Sequence, residues 1–397
     1  MNLGEGVHLT YCTNIHPGET WAEVRRNLEY YVPRVRDGLA PGTRFGIGLR
    51  LSYAAARALR EAEAMAEFKA FLDANDFYVF TLNGFPYGRF HDTPVKADVY
   101  LPDWQSEDRL GYTDLLADLL AEILPGDMEG SVSTVPGAFK PIAKVPGAEA
   151  RMTDLMVRHV AHLVRLHERT GRVIGLALEP EPCCFLETVE ETVSFFKGRL
   201  FSEQVIVRLM GFTGLAREAA QAALRRHLGV CLDLCHAAVE FEDPRACLAQ
   251  LREAGIRVLK LQLSAGLSVP GVDARTVELL RPFDDHVYLH QVVERSALGL
   301  QRYVDLPEAF TALAGRSDER EWRVHFHVPV FLDDLGAFRS TSSFIRETLA
   351  LHRQQPISAH LEAETYTFGV LPAHLRSDPV DRAIVRELSW LREQLQG

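Results

Sequence analysis

No apolar run in this chain approaches the roughly 20 residues that a membrane span requires. The opening M-N-L-G-E-G-V-H-L has neither a basic segment nor an apolar stretch behind it, so no signal peptide is expected. C-x-x-C pairs are missing as well. Cys12, Cys183, Cys184, Cys231, Cys235 and Cys247 leave one adjacent pair and one pair across an expected strand end. That pattern suits reduced thiols in a soluble, cytoplasmic protein. Clustered Lys and Arg are also lacking, and the formal charge of −11 argues against a general nucleic-acid binder. It leaves room for a local basic pocket holding a small phosphorylated ligand. Neither G-x-G-x-x-G nor G-x-x-x-x-G-K-[ST] follows the first expected strand, which speaks against a doubly wound open sheet. Internal repeats, low-complexity segments and domain boundaries are absent too.

What is present is a long alternation. With 397 residues, 47% hydrophobic and 24% charged, the chain has ample core for one large α/β unit. Short β-rich runs are expected at Val7–Thr13, Phe45–Leu51, Tyr78–Leu82, Ser131–Val135, Val173–Leu178, Val230–Leu232 and Val258–Leu263, then at Arg323–Val328 and Ile357–Glu364. Helical patterns lie between them, among them Trp21–Val35, Ala54–Ala74, Tyr112–Ile123, Ala148–Thr170 and Leu215–Leu228. A final helix at Pro379–Gln394 opens on proline at a favoured first-turn position. Strand–helix alternation of this kind implies parallel strands with crossover helices, and the fold expected is a (β/α)8 TIM barrel over residues 1–397. Nine runs exceed the eight a barrel needs. His286–Glu294 and Gln301–Leu306 look like a β excursion above the barrel, an insertion at roughly 284–320 between the last barrel strands. The pattern leaves open whether Arg323–Val328 belongs to the wall or to that excursion.

Several of these runs end on polar groups. L-A-L-E-P-E-P (Leu176–Pro182) stops on Glu179, and G-V-C-L-D-L-C-H (Gly229–His236) stops on Asp233. Gln262 sits near the end of V-L-K-L-Q-L-S, His327 in W-R-V-H-F-H-V-P, and Glu362 and Glu364 in H-L-E-A-E-T. Parallel barrel strands deliver such side chains to one rim. Alternation puts Glu362 with Glu364, and His325 with His327, on shared faces. Carboxylates with imidazole or an amide oxygen suit Mn²⁺, Mg²⁺, Co²⁺, Zn²⁺ or Fe²⁺, and like charges aimed into one funnel call for a cation between them. Each has a plainer reading. Glu179 or Glu181 could cap a loop, Asp233 could only N-cap its helix, Gln262 could be a buried structural amide, and His327 a core histidine.

A second group lies earlier. T-L-N-G-F-P-Y-G-R-F-H (Thr81–His91) is a tight loop that can hold Asn83 and His91 toward a ligand, and Lys96, Tyr100 and Trp104 follow. Aromatic and polar residues on a long irregular loop fit a polyhydroxylated ligand; a well-packed surface loop is the alternative. His8 and His16 flank the end of the first strand, and Arg50 ends the second.

The series Glu179, D-L-C-H at Asp233–His236 and a late glutamate resembles the xylose-isomerase-like TIM barrels, which include sugar-phosphate isomerases, epimerases and endonuclease IV. The resemblance implies a divalent metal held by Glu179, Asp233 and Glu362. It puts Gln262 where that superfamily usually has histidine, unless His290 or His327 takes over. His236 matches a histidine that contacts substrate in some epimerases. The motifs H-L-T-Y-C-T-N-I-H-P, T-L-N-G-F-P-Y-G, V-H-F-H-V-P-V-F and H-L-E-A-E-T-Y-T-F are similar to those of the EboE family, named for metabolite traffic and tied to secondary-metabolite biosynthesis or export.

The function expected is a metal-dependent isomerase or epimerase acting on a sugar, sugar phosphate or polyol-like metabolite. Glu179, His236 and Glu362 are the catalytic candidates. The ligand candidates are Glu179, Asp233, Gln262, His327, Glu362 and Glu364. Asn83, His91, Lys96, His290, Arg50 and His8 are the candidates for substrate contact. A barrel that binds a metabolite without turnover is the second reading, and a phosphodiesterase or endonuclease IV-like enzyme the third. Oligomeric state is left open, a homo-oligomer included.

Overall fold

The computed structural model describes all residues except 92–93, 314–318, 373–374 and 377, so five positions of the expected insertion lie outside the described residues. Fourteen strands are described: β1 Asn2–Gly4, β2 Val7–Tyr11, β3 Phe45–Arg50, β4 Phe77–Asn83, β5 Gly130–Thr134, β6 Ile174–Leu178 and β7 Leu228–Asp233. They continue with β8 Arg257–Leu263, β9 Ala265–Val269, β10 Val292–Ser296, β11 Gly299–Tyr303, β12 Arg320–Val328, β13 Arg339–Ser340 and β14 His360–Ala363.

Eight of them, β2 to β8 and β14, run parallel in the order β2-β14-β8-β7-β6-β5-β4-β3. The seam between β2 and β3 closes differently. Thr10 Oγ1 donates to Gly46 O at 2.7 Å and accepts from Gly48 N at 3.1 Å, and Cys12 bridges to Gly48. A threonine side chain thus supplies the bonds a regular ladder would have made. The expected α/β barrel is the observed fold, with β1 added as a short antiparallel flap.

The helices form where their caps and apolar faces direct. Thr20 and Glu23 make a capping box for the helix Trp21–Leu39, whose Val24, Leu28, Val32 and Val35 face inward. The run expected as one helix from Ala54 to Ala74 is two, Tyr53–Leu59 and Ala62–Asn75, because Glu61 takes extended backbone between them.

The excursion is larger than its expected 284–320. Residues from Ala265 to Ser340 build an antiparallel sheet in the order β11-β10-β12-β9-β13, inserted between β8 and β14. Arg323–Val328 belongs there, as part of β12, because it pairs antiparallel with both β10 and β9. The β12–β9 register slips between Val324 and Val328. Strand irregularities of this kind re-aim side chains, and the segment concerned carries His325 and His327.

Inside the barrel part of the filling is polar. Lys260 and Glu362, both fully buried, meet with Nζ 2.5 Å from Oε1. Ser131 Oγ links Thr81 Oγ1 to His360 Nδ1, each at 2.8 Å. Gly48 leaves space for Glu362, since a Cβ there would stand 2.0 Å from Glu362 Oε2. Removing one member of a buried ion pair strands the other charge at a cost of about 3–5 kcal/mol, whereas replacing both with apolar groups is often near neutral. Lys260→Met is therefore expected to lower unfolding stability by about that amount in a urea titration. Lys260→Met with Glu362→Leu should recover most of the loss; equal losses would show that the pair is not coupled.

Candidate active site at the barrel mouth

The C-terminal ends of β6, β7 and β14 bring Glu179, Asp233 and Glu364 together, with one oxygen of each within 4.8 Å of the others. All three are buried. Asp233 divides its labour. Oδ1 accepts from Cys235 N at 2.7 Å, His236 N at 3.0 Å and Ser264 Oγ at 2.6 Å, capping the short helix Leu234–Val239. Its Oδ2 has no hydrogen-bond partner among the described residues, and neither has Glu179 Oε2. The capping reading of Asp233 is therefore correct for one oxygen and leaves the other free. Glu364 Oε1 accepts from Asn14 Nδ2 at 2.8 Å and Asn83 Nδ2 at 3.1 Å.

The imidazole near Asp233 comes from the insertion. His327 Nδ1 donates to Glu364 O at 2.8 Å, so the neutral ring presents its Nε2 lone pair, which has no partner among the described residues. Burial pushes the His327 pKa down to about 4, which keeps that lone pair available at neutral pH. One nitrogen or oxygen each of Asp233, His236 and His327 lie within 4.8 Å of one another. Gln262 Oε1 accepts from Cys231 Sγ at 2.9 Å, and its Nε2 has no partner among the described residues.

Three buried carboxyls this close disturb one another. Burial raises Glu179 well above the ordinary carboxylate range, with Glu364 and Asp233 adding to it and Lys260 opposing. Glu364 is raised in the same way, by burial and then by Asp233 and Glu362. Burial pushes Asp233 up as well, but His236, His327, Ser264 and the helix amide outweigh it and hold this carboxyl low.

A cavity of about 60 Å³ opens onto this group. Its walls include Glu179, Glu181, His236 and Glu364 from the barrel, Asn83, Phe85, Lys96 and Tyr100 from β4 and the loop after it, and Gln291 and His325 from the insertion. Val287 O accepts from Val95 N at 2.9 Å and Lys96 N at 3.1 Å, joining loop to insertion. Phe90, Tyr288 and Tyr366 pack edge to face or tilted at 5.1–5.3 Å as a roof.

The remaining candidates, Lys96 apart, fall outside this cavity wall. Glu362 sits one inward layer deeper, against Lys260. Arg50 spans Gly18 O, Gly88 O and Glu19 and ties two loops together. His8 bonds Tyr78 at the far end of β2. His290 lies between Asp285 and Asp305, and Lys96, which does reach the cavity, holds Asp305 at 2.8 Å. His91 donates to Asn14 O from behind. Asn14, Gln291 and Tyr366 were not read from the sequence. Asn14 stood in T-N-I-H-P two residues from His16, the nearest signal to it.

No protein-family model and no curated protein matches the chain. Among solved structures it is similar to D-psicose 3-epimerase with D-tagatose from Clostridium cellulolyticum H10, at 12% identity over 98% of both chains and a TM-score of 0.49. A xylose isomerase-like TIM barrel protein from Mycobacterium smegmatis in complex with magnesium aligns at 11% over 98% of this chain and 96% of that one, with a TM-score of 0.49. The IOLI protein with a bound zinc atom aligns at 10% over 98% of both, with a TM-score of 0.47. At such identities the likeness concerns the fold, and the barrel assignment stands on this chain's own strand order.

The raised carboxyls give a testable pH dependence. A carboxyl whose folded pKa exceeds its unfolded value costs nothing below the unfolded pKa and destabilises progressively as pH rises through the folded one. Chelator-treated protein should accordingly lose melting temperature as pH rises above the unfolded Glu value of roughly 4.3. Glu364→Gln should flatten that decline in scanning calorimetry. Buried histidines such as His327 act in the opposite sense below about pH 6.5, so the slope difference between variant and wild type is the quantity to read.

Proposed function

We propose that this chain is a divalent-metal-dependent isomerase or epimerase acting on a sugar, sugar phosphate or polyol-like metabolite. The observation that carries the reading is the set of buried acceptors at the barrel mouth. Glu179 Oε2, Asp233 Oδ2 and His327 Nε2 lack donors among the described residues, with Glu364 beside them. Unpaired buried acceptors cost free energy unless a ligand satisfies them. Three carboxylates and one neutral imidazole fit Mn²⁺, Co²⁺, Zn²⁺, Mg²⁺ or Fe²⁺. Glu179, Asp233, His327 and Glu364 would hold the ion, with His327 as its imidazole ligand.

When bound, such an ion polarises substrate oxygens and stabilises developing negative charge. The side chains supply the rest. Asn14 and Asn83 orient Glu364, and the Glu364 carbonyl fixes the His327 ring. Glu179 and Glu364, which line the cavity, are the carboxyls that would accept and return a proton at neighbouring carbons. Phe85, Phe90, Tyr288 and Tyr366 present ring faces and edges of the kind sugars pack against, and with the insertion they exclude water. The resemblance to the EboE family supports a place in secondary-metabolite biosynthesis or export, and free buried thiols suit a cytoplasmic location.

Elemental analysis of the untagged protein beside Asp233→Asn tests the reading. Near-stoichiometric Mn, Zn, Co, Mg or Fe that is lost in the variant is expected. Epimerisation of a screened sugar or polyol should then fall by at least about 10²-fold in the same variant. A protein that takes up no ion after reloading, yet binds a polyol unchanged in Asp233→Asn, would instead be a binding barrel.

A further inference from the structure

The roof of the cavity is a small body of its own. Phe90, Val95, Val287 and Tyr288 form an apolar cluster apart from the barrel core, with Val99 and Tyr366 packed against it. A satellite cluster of this kind opens without disturbing the main core. Two segments build it, the short helical turn Lys96–Tyr100 after β4 and the stretch of the insertion just before β10. Val287 O joins them by accepting from Val95 N and Lys96 N. Lys96 holds φ at +37°, a left-handed backbone that a side-chain-bearing residue keeps only where its surroundings impose it.

A closed circuit of charges supplies that hold. Lys96 Nζ donates to Asp305 Oδ2 at 2.8 Å and to Asp285 O at 3.2 Å. The buried His290 ring stands between the two aspartates, with Nε2 2.9 Å from Asp285 Oδ2 and Nδ1 3.4 Å from Asp305 Oδ1. Carboxylate oxygens only accept, so a ring protonated on both nitrogens suits both neighbours, whereas a neutral ring turns a lone pair toward one of them. Asp305 is fixed at the start of the helix Leu306–Leu313, its Oδ1 accepting from Leu306 N and His290 N at 3.0 Å each. Asp285 belongs to the roof, where its Oδ1 accepts from Val287 N at 2.7 Å and Tyr288 N at 3.1 Å. The other groups facing His290 are the Phe326 ring of β12, stacked at 5.4 Å, His325 beside it, and Asp284, with an oxygen within 4.8 Å of His290 and Asp305. Burial pushes the His290 pKa down, but Asp285 and Asp305 outweigh it and hold the ring above its ordinary value.

We propose that Lys96, Asp305, His290 and Asp285 form a latch that keeps the roof closed over the cavity while His290 is charged and releases it as His290 loses its proton. Once the roof lifts Asp285 away, His290 titrates nearer its ordinary value of roughly 6.5. The closed roof is therefore fully stabilised below that pH and loses the stabilisation as pH rises through the higher value of the latched ring. Phe90, Tyr288 and Tyr366 line the cavity as well as the roof, so an open latch exposes the cavity to whatever ligand it takes. None of the four latch residues is among the proposed ion ligands, and the latch does not rest on the metal reading.

Hydrogen exchange of the full-length chain, read by mass spectrometry on peptides covering 95–100 and 284–291, tests the latch without any ligand. With intrinsic exchange rates divided out, wild-type protection of both peptides should fall by roughly tenfold between about pH 6 and about pH 9, while a peptide over β5 keeps its protection. His290→Gln should be poorly protected already at about pH 6 and lack the step. Lys96→Met should lower protection at every pH yet keep the step, because His290 still stands between its aspartates. Glu364→Gln should keep both the protection and the step, which separates the latch from the carboxylate group. Circular dichroism melts check that each variant folds, and the wild-type profile decides even where one does not. Protection that is flat with pH in wild type, or a step that survives in His290→Gln, overturns the latch. A fall shared by the β5 peptide also overturns it, since the whole barrel would then be loosening.

Discussion

The physical constraint on which the rest depends is the burial of lone pairs without donors. At the barrel mouth Glu179 Oε2, Asp233 Oδ2 and His327 Nε2 are withdrawn from water and unmatched among the described residues. Each would be costly alone, and side by side the carboxylates add mutual repulsion. A protein tolerates such an arrangement where the surrounding structure holds it in place. Here the hold comes from Asn14, Asn83 and Ser264, from the backbone of the Leu234–Val239 helix and from the Glu364 carbonyl. These partners occupy the far sides of the functional groups and leave the near sides facing one another.

The insertion is what completes the arrangement. A bare barrel would end its seventh strand near Gln262, whose oxygen accepts from Cys231. The antiparallel sheet from Ala265 to Ser340 brings β12 across the mouth instead, and the irregular β12–β9 register lies where His325 and His327 turn toward the carboxylates. The same insertion sends Val287, Tyr288 and Gln291 to meet the loop after β4. One structural addition thus supplies two histidines, a roof and a cavity wall together.

Below the mouth polar contacts share the barrel interior with Phe80 and Leu259. Lys260 and Glu362 pair as opposite charges, and Ser131 bonds Thr81 and His360 in the interior. Lys260 also acts at a distance, opposing the rise in the pKa values of Glu179 and Glu364. A charge paired in the core therefore bears on the electrostatics of the site above it. The short glycine at position 48 is part of this, because any larger residue would strike Glu362.

Local pattern was enough for much of this. Strand–helix alternation, with apolar runs ending on Glu179 and Asp233, determined the barrel and the rim on which those residues stand, since a parallel strand has a fixed direction and a side-chain period of two. The same period put Glu362 with Glu364 and His325 with His327. What the period could not decide is depth. Glu362 and Glu364 share a face, yet one lies against Lys260 and the other among the rim carboxylates, a difference set by strand tilt and by residues distant in sequence. Nor could it assign Arg323–Val328 to the insertion or bring His327 to Asp233 and His236 to His325. Those meetings join residues some ninety positions apart through an antiparallel sheet whose register depends on partner strands. Sequence determined which polar groups reach a strand end; only the tertiary structure decided which of them face one another, because that choice is made by packing between elements that share no local pattern.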